Sequence, residues 1–203
     1  MSGCVERTID KLLYDAYNEI FSKQKDYFLY FAEDGISFEL WLTTELAMHL
    51  RREKCEIDFT PSVVIEEKVI GVENQIETKY ICRYLDLFVS NEIEQCAIEL
   101  KIATPATQPK YNAACRNDII KLSNISKISA RKKIVDYDKI KKLFILVVVS
   151  RRNEAGYNDN WNTWLDEIYE DSNEKAGSLI KYKTYSKKDN EDLTAVVYHK
   201  FVK

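Results

Sequence analysis

The segment RYLDLFVSNEIEQCAIELKI, residues 83–102, holds two short apolar runs separated by the polar stretch Asn91–Glu94. Both runs have strand length, and a loop at 91–94 would join them as an antiparallel hairpin. Symmetric pairing about that loop sets Ser90 against Gln95, Phe88 against Ala97, Asp86 against Glu99 and Tyr84 against Lys101. Side chains alternate along a strand, so Leu85, Leu87 and Val89 share a core face with Ile98, Leu100 and Ile102. The opposite face then carries Asp86, Glu99 and Lys101, with Phe88 and Ala97 toward the loop. Directly opposed residues have Cβ atoms roughly 4.5–5.5 Å apart, where two carboxylates repel. A divalent cation reverses the sign of that interaction: Mg²⁺ takes oxygen ligands and is commonly held by two carboxylates with water and phosphate. Lys101 would lie beside the pair, either offsetting its charge or orienting a water for attack on phosphorus.

Outside this hairpin the periodicity reads as helices and strands in mixed order. Ile9, Leu12, Leu13, Ala16, Tyr17 and Ile20 give a helical stripe over residues 5–25. A second helix starts near Ser37, after Asp34-Gly35, with its stripe on Phe38, Trp41, Leu42, Leu46 and Leu50. Pro61 precedes the β-rich SVVIEEKVIGV. A loop with Pro105 and Pro109 follows the hairpin, and Ile119, Leu122, Ile125 and Ile128 suggest a helix over 112–133. LFILVVV, residues 143–149, lacks polar alternation and reads as a strand buried on both faces. A helix at 160–171 and strands at 179–185 and 194–201 complete the chain. The order predicts an α/β domain with a mixed central sheet flanked by helices. Repeats, low-complexity tracts and linkers are absent from the pattern, so one domain is expected over 1–203, with 5–25 as an N-terminal helical extension.

Composition narrows the class. A chain of 203 residues with 45% hydrophobic and 31% charged residues is ordinary for a globular protein. It contains no apolar run of about 18 residues and no basic-then-apolar leader, so neither a membrane nor secretion is expected. Five scattered cysteines without C-x-x-C spacing argue against a disulfide framework or zinc site and for a reducing, cytoplasmic setting. The net charge is −3, yet Lys110–Lys142 holds ten Lys/Arg against three acids, a local footprint for phosphate. Only two histidines are present, His49 and His199, too few for a His-based nuclease site, and His49 reads as a surface residue four positions after Glu45. Phosphate loops, dinucleotide fingerprints and G-x-S-x-G are missing. Tyr111, Tyr137 and Tyr157 lie near the basic segment but read as packing residues, as do Trp161 and Trp164.

With Asp86 in YLDLFV and Glu99 and Lys101 in AIELKI, the chain resembles the PD-(D/E)XK nuclease superfamily, over roughly residues 36–150 as catalytic core. Leu85 stands where that family usually has proline. The resemblance implies a restriction-endonuclease-like fold and Mg²⁺-dependent (or Mn²⁺-dependent) hydrolysis of phosphodiester bonds in DNA, in restriction, repair or phage defence. Asp86, Glu99 and the carbonyl of Leu100 would hold the metal, and Lys101 would position the attacking water. Many such nucleases carry an acid on a helix before the first strand, for which Glu45 in LTTEL is the candidate; it would bind a second metal or a water. The helix after the Glu-x-Lys strand would bring Arg116, Asp118 and Lys121 toward the site or the phosphate backbone, with Lys110 also on DNA. QPKY, residues 108–111, is faintly similar to a Gln/Tyr motif of one branch, but Pro109 argues against the helix that motif needs. The family often acts as dimers, and the 5–25 helix is a candidate contact. The alternatives are a non-catalytic nucleic-acid-binding or assembly subunit, or a nuclease acting on RNA.

Overall fold

The structure is a computed structural model that describes residues 7–24, 26–27, 30–31, 36–70, 75–103, 108–129, 139–151, 179–186 and 191–202. Three helices and nine strands are followed end to end among these residues, and the strands form two sheets. The helices are α1 (Ile9–Lys23), α2 (Glu39–Arg52) and α3 (Gln108–Ser123). The strands are β1 (Glu56–Phe59), β2 (Ser62–Ile70), β3 (Ile76–Tyr84), β4 (Leu87–Ser90), β5 (Gln95–Ala103), β6 (Ile125–Ser129), β7 (Lys141–Arg151), β8 (Leu179–Ser186) and β9 (Glu191–Val202).

The larger sheet has the order β1-β4-β5-β7-β9-β8, with β5 and β7 parallel and every other pair antiparallel. A parallel pair needs a crossover, and α3 with β6 supplies it. The smaller sheet is antiparallel, β3-β2-β6. Both faces of the larger sheet are covered. Leu87, Val89, Ile98, Leu100, Ile102, Leu143, Ile145 and Val147 meet the buried stripes of α1 and α2 on one face. Phe88, Ala97, Phe144 and Leu146 meet Cys115 and Leu122 of α3 and Val63, Ile65, Ile125 and Ile128 of the small sheet on the other. Burial on both sides explains why Leu143 to Val147 is apolar without alternation: all five are 0% exposed.

The hairpin forms where the sequence places it. Leu87 pairs with Ile98, Phe88 with Ala97, Val89 with Cys96 and Ser90 with Gln95. Asn91 Oδ1 accepts from the amides of Ile93 and Glu94 and shapes the turn. The pairing stops at Leu87, however. Tyr84 belongs to β3 in the other sheet, and Leu85-Asp86 is the passage between sheets. Asp86 and Glu99 are therefore not ladder partners, nor are Tyr84 and Lys101. Leu85 packs with Phe88 rather than with Leu87, because the strand breaks before it.

Two further differences have physical causes. The helix expected over 112–133 ends at Ser123, and Ile125–Ser129 is a strand. Ile125 and Ile128, three apart, look helical, yet both are buried on β6 because a bulge shifts its register against β2 between Val64 and Ile65. The small sheet also contains β3, and the large one β1, neither of which hydrophobic alternation announces. His49 is buried, with Nδ1 3.2 Å from Glu19 Oε2 on α1, instead of lying on the surface. Pro109 sits in the first turn of α3, where a missing amide costs no helical hydrogen bond. Cys55, Cys82, Cys96 and Cys115 are free thiols. No helix among the described residues is long and apolar enough to cross a membrane. The 160–171 segment and the side chains of Lys110, Tyr111, Tyr137, Tyr157, Trp161, Trp164 and His199 lie outside the described set.

Candidate active site

Asp86 lies at the point where the chain leaves the small sheet for the large one. Its backbone carbonyl accepts from Thr60 N at 3.2 Å, and its Oδ2 accepts from Leu100 N at 2.8 Å. Both ends of the residue are thus fixed, and its carboxylate is tied to the strand that carries Glu99 and Lys101. Those two side chains alternate with Ile98, Leu100 and Ile102, which face α1 and α2; they project to the face covered by α3. Glu99 is 1% exposed, which removes a solvated hairpin face as the explanation for its charge.

Six charged side chains converge here. Lys101 Nζ lies 3.3 Å from Glu39 Oε1 of α2 and 3.4 Å from Asp118 Oδ2 of α3, and it also reaches the Leu100 carbonyl at 3.4 Å. Lys121, one turn along α3 from Asp118, places Nζ 2.7 Å from Glu99 Oε1 and 3.2 Å from Asp118 Oδ1, and donates to the Tyr84 carbonyl at 3.1 Å. Glu39, Asp86, Glu99 and Asp118 thus surround Lys101 and Lys121. Glu99 Oε1 and Asp118 Oδ2 are both buried, and each has a lysine ammonium as its charged neighbour.

Burial is the main reason that Glu99 is pushed up to about 8; Asp86 and Asp118 push the same way, against Lys121. Glu39 is raised chiefly by burial, with Asp86 adding to it against Lys101. Lys101 goes the other way. Burial works to discharge it, but Asp118, Glu39 and Asp86 overcome that and hold it charged well above its ordinary range.

Among the residues expected in the site, Asp86, Glu99, Leu100 and Lys101 meet, and Asp118 and Lys121 join them. Glu45 does not reach Lys101. Its Oε2 accepts from Gln24, the residue that caps the C-terminus of α1, at 3.0 Å, and the acid of α2 that contacts Lys101 is Glu39, six residues earlier. Glu39 opens the helix, and only that end reaches Lys101. Helical spacing reports which face a residue is on but not which turn touches the sheet, so the sequence carries no signal that prefers Glu39. Arg116 is exposed on α3.

A hard divalent cation takes one or two carboxylates plus carbonyl and water oxygens. Asp86, Glu99 and the Leu100 carbonyl are such donors, and a cation on the buried Glu99 Oε1 would take the place of Lys121 Nζ, now 2.7 Å away. The donor set fits in chemistry. Among the described residues no three His, Cys, Asp or Glu side chains are grouped to hold a metal unaided. The chain matches no family model, no curated protein and no solved structure.

Proposed function

We propose that this chain is a metal-dependent nuclease of the PD-(D/E)XK type, with a restriction-endonuclease-like core, that hydrolyses phosphodiester bonds in DNA. The observation that carries the reading is the meeting of Asp86, at the entry to β4, with Glu99 and Lys101 of β5, with Leu100 N bound to Asp86 Oδ2. The surrounding order supports it: a helix bearing an acid, a strand entered at Asp86, the Glu-x-Lys strand, then a helix.

Asp86, Glu99 and the Leu100 carbonyl would hold Mg²⁺ or Mn²⁺. When bound, the ion supplies polarisation of a phosphoryl oxygen and a lowered pKa for its water. Lys101 stays charged among Glu39, Asp86 and Asp118, so its ammonium is available to orient a water and to stabilise negative charge developing on phosphate oxygens. Glu39 acts through Lys101 and is a positioning residue. In the resting state Lys121 Nζ lies 2.7 Å from Glu99 Oε1. Arg116, exposed on α3, and Lys110 at its start are the candidates for the phosphate backbone.

The test offers plasmid, linear duplex, single-stranded DNA and RNA side by side with Mg²⁺. Cleavage is expected with Mg²⁺ or Mn²⁺, absent in EDTA, and lost in Lys101→Ala while the variant stays folded by circular dichroism. Activity that persists in chelator, or in Lys101→Ala, overturns the mechanism. One observation favours a second reading, a non-catalytic nucleic-acid-binding subunit: Glu99 and Asp118 already have lysines at ion-pair distance. Nicking of plasmid by the wild type decides against that reading, and binding without nicking decides for it.

A further inference from the structure

The outer edge of β3 lies at the end of the small sheet. β3 is the end strand of the small sheet, nine residues long, and its register with β2 runs from Ser62–Tyr84 to Ile70–Ile76 without a shift. It has no proline and no bulge, two of the devices that blunt such an edge, and its charged residues are Glu77, Lys79 and Arg83. One face also shows apolar side chains to solvent: Ile76 is 72% exposed, Tyr80 67% and Tyr84 65%, with Ile70 beside them on β2 at 77%. A stripe of this kind marks an interaction surface.

Backbone geometry says which groups are on offer. Leu85 N donates to Pro61 O, so in an alternating antiparallel ladder the odd-numbered residues of β3 bond to β2. The amides and carbonyls of Ile76, Thr78, Tyr80, Cys82 and Tyr84 therefore point outward. Lys121 on the Tyr84 carbonyl is consistent with this.

We propose that β3 pairs antiparallel with β3 of a second copy of this chain, making one continuous sheet across a twofold axis at Tyr80. Outward groups must meet outward groups, which allows only registers that oppose even-numbered residues. Charge and length then select among them: an axis at Thr78 sets Glu77 against Lys79 but opposes only five residues of β3. With the axis at Lys79, two lysines face each other; with the axis at Ile81, Lys79 faces Arg83. With the axis at Tyr80, Glu77 faces Arg83 of the second copy, and the reverse, while Ile76 faces Tyr84 and Thr78 faces Cys82. This register uses all nine residues, forms two opposite-charge pairs, and joins the two exposed stripes into one. A long Arg83 Nη1 bond to the Cys82 carbonyl, 3.3 Å, is exchanged for strand pairing. The inference does not rest on the nuclease reading; its readout is mass.

Sedimentation equilibrium of the full chain at micromolar concentration tests it. The wild type is expected to be a dimer. Glu77→Arg and Arg83→Glu each set like charges opposite each other twice per dimer and should weaken association roughly ten- to thirtyfold. The double variant Glu77→Arg/Arg83→Glu restores both pairs and should recover most of the loss. Tyr80→Lys, which brings two ammonium groups together at the axis, should give a monomer with an unchanged far-UV spectrum. A monomeric wild type overturns the proposal, as does a dimer indifferent to the single variants or one the double variant fails to rescue. A monomer in which these substitutions instead weaken DNA retention assigns the stripe to nucleic acid and overturns it too.

Discussion

Glu99 is the residue on which the site turns, because a carboxylate 1% exposed must be either protonated, ion-paired or bound to a cation. In metal-free buffer its raised value has a consequence for stability. The folded chain holds the proton until about pH 8, whereas the unfolded chain releases it near the ordinary 4.5. Stability from that proton is fully present below pH 4.5, and it is lost as pH rises toward 8. Relative to Glu99→Gln, which has no proton to lose, the wild type should lose of order 2–4 kcal/mol across that window. Urea melts in EDTA at successive pH values measure it, and parallel pH profiles for the two proteins would show that Glu99 does not titrate as burial requires. The sequence made Glu99 legible through its apolar frame, Ala97 to Ile102, as it did Asp86 and Lys101. Glu39 and Lys121 were less legible for a different reason. Their roles depend on which helix turn lands on β5, and no residue pattern within a helix encodes its axial position against a sheet.

Elements were legible in proportion to how one-sided their burial is. α1, α2 and the hairpin carry clear stripes, and β7 carries none because it is covered twice. β3 (IETKYICRY) is exposed at eight of its nine positions, so no alternation marks it as a strand. β6 mimics a helix because its bulge brings Ile125 and Ile128 to one side. The hairpin loop has a further task that its polarity only hints at. Glu94 Oε1 accepts from Ile9 N at 2.6 Å, 85 residues away, and its Oε2 is ion-paired with Lys141 at the start of β7. A carboxylate 9% exposed therefore caps the N-terminus of α1, where the helix dipole favours negative charge, and joins it to the central strands. Glu94→Ala leaves an amide and an ammonium without that partner and should cost about 2–3 kcal/mol, with Glu94→Gln losing less. A fall in the urea midpoint at constant m reads this out; an unmoved midpoint would mean that α1 is held by its apolar stripe alone.

At the scale of the molecule, two sheets with unequal support predict unequal opening. β5 and β7 lie between covered faces, so their amides should exchange only through global unfolding, while the far ends of β2 and β3, near Ile70 and Ile76, should open first. Along β3 the ladder imposes a finer pattern. Amides of Glu77, Lys79, Ile81 and Arg83 are bonded to β2 and should be slowed at any protein concentration. Amides of Thr78, Tyr80 and Cys82 face outward, away from β2. If two copies pair at this edge, these three amides should gain protection as concentration rises through the association range, while their odd-numbered neighbours change little. Residue-resolved hydrogen exchange at low and high concentration separates the cases. Alternating, concentration-dependent protection requires strand pairing in the even register. Uniform protection along β3 would mean that the face is covered without a shared ladder, and no change would leave the edge unpaired. The same measurement on Glu77→Arg should return Thr78, Tyr80 and Cys82 to fast exchange without touching β5, because the substitution acts on association and not on the fold.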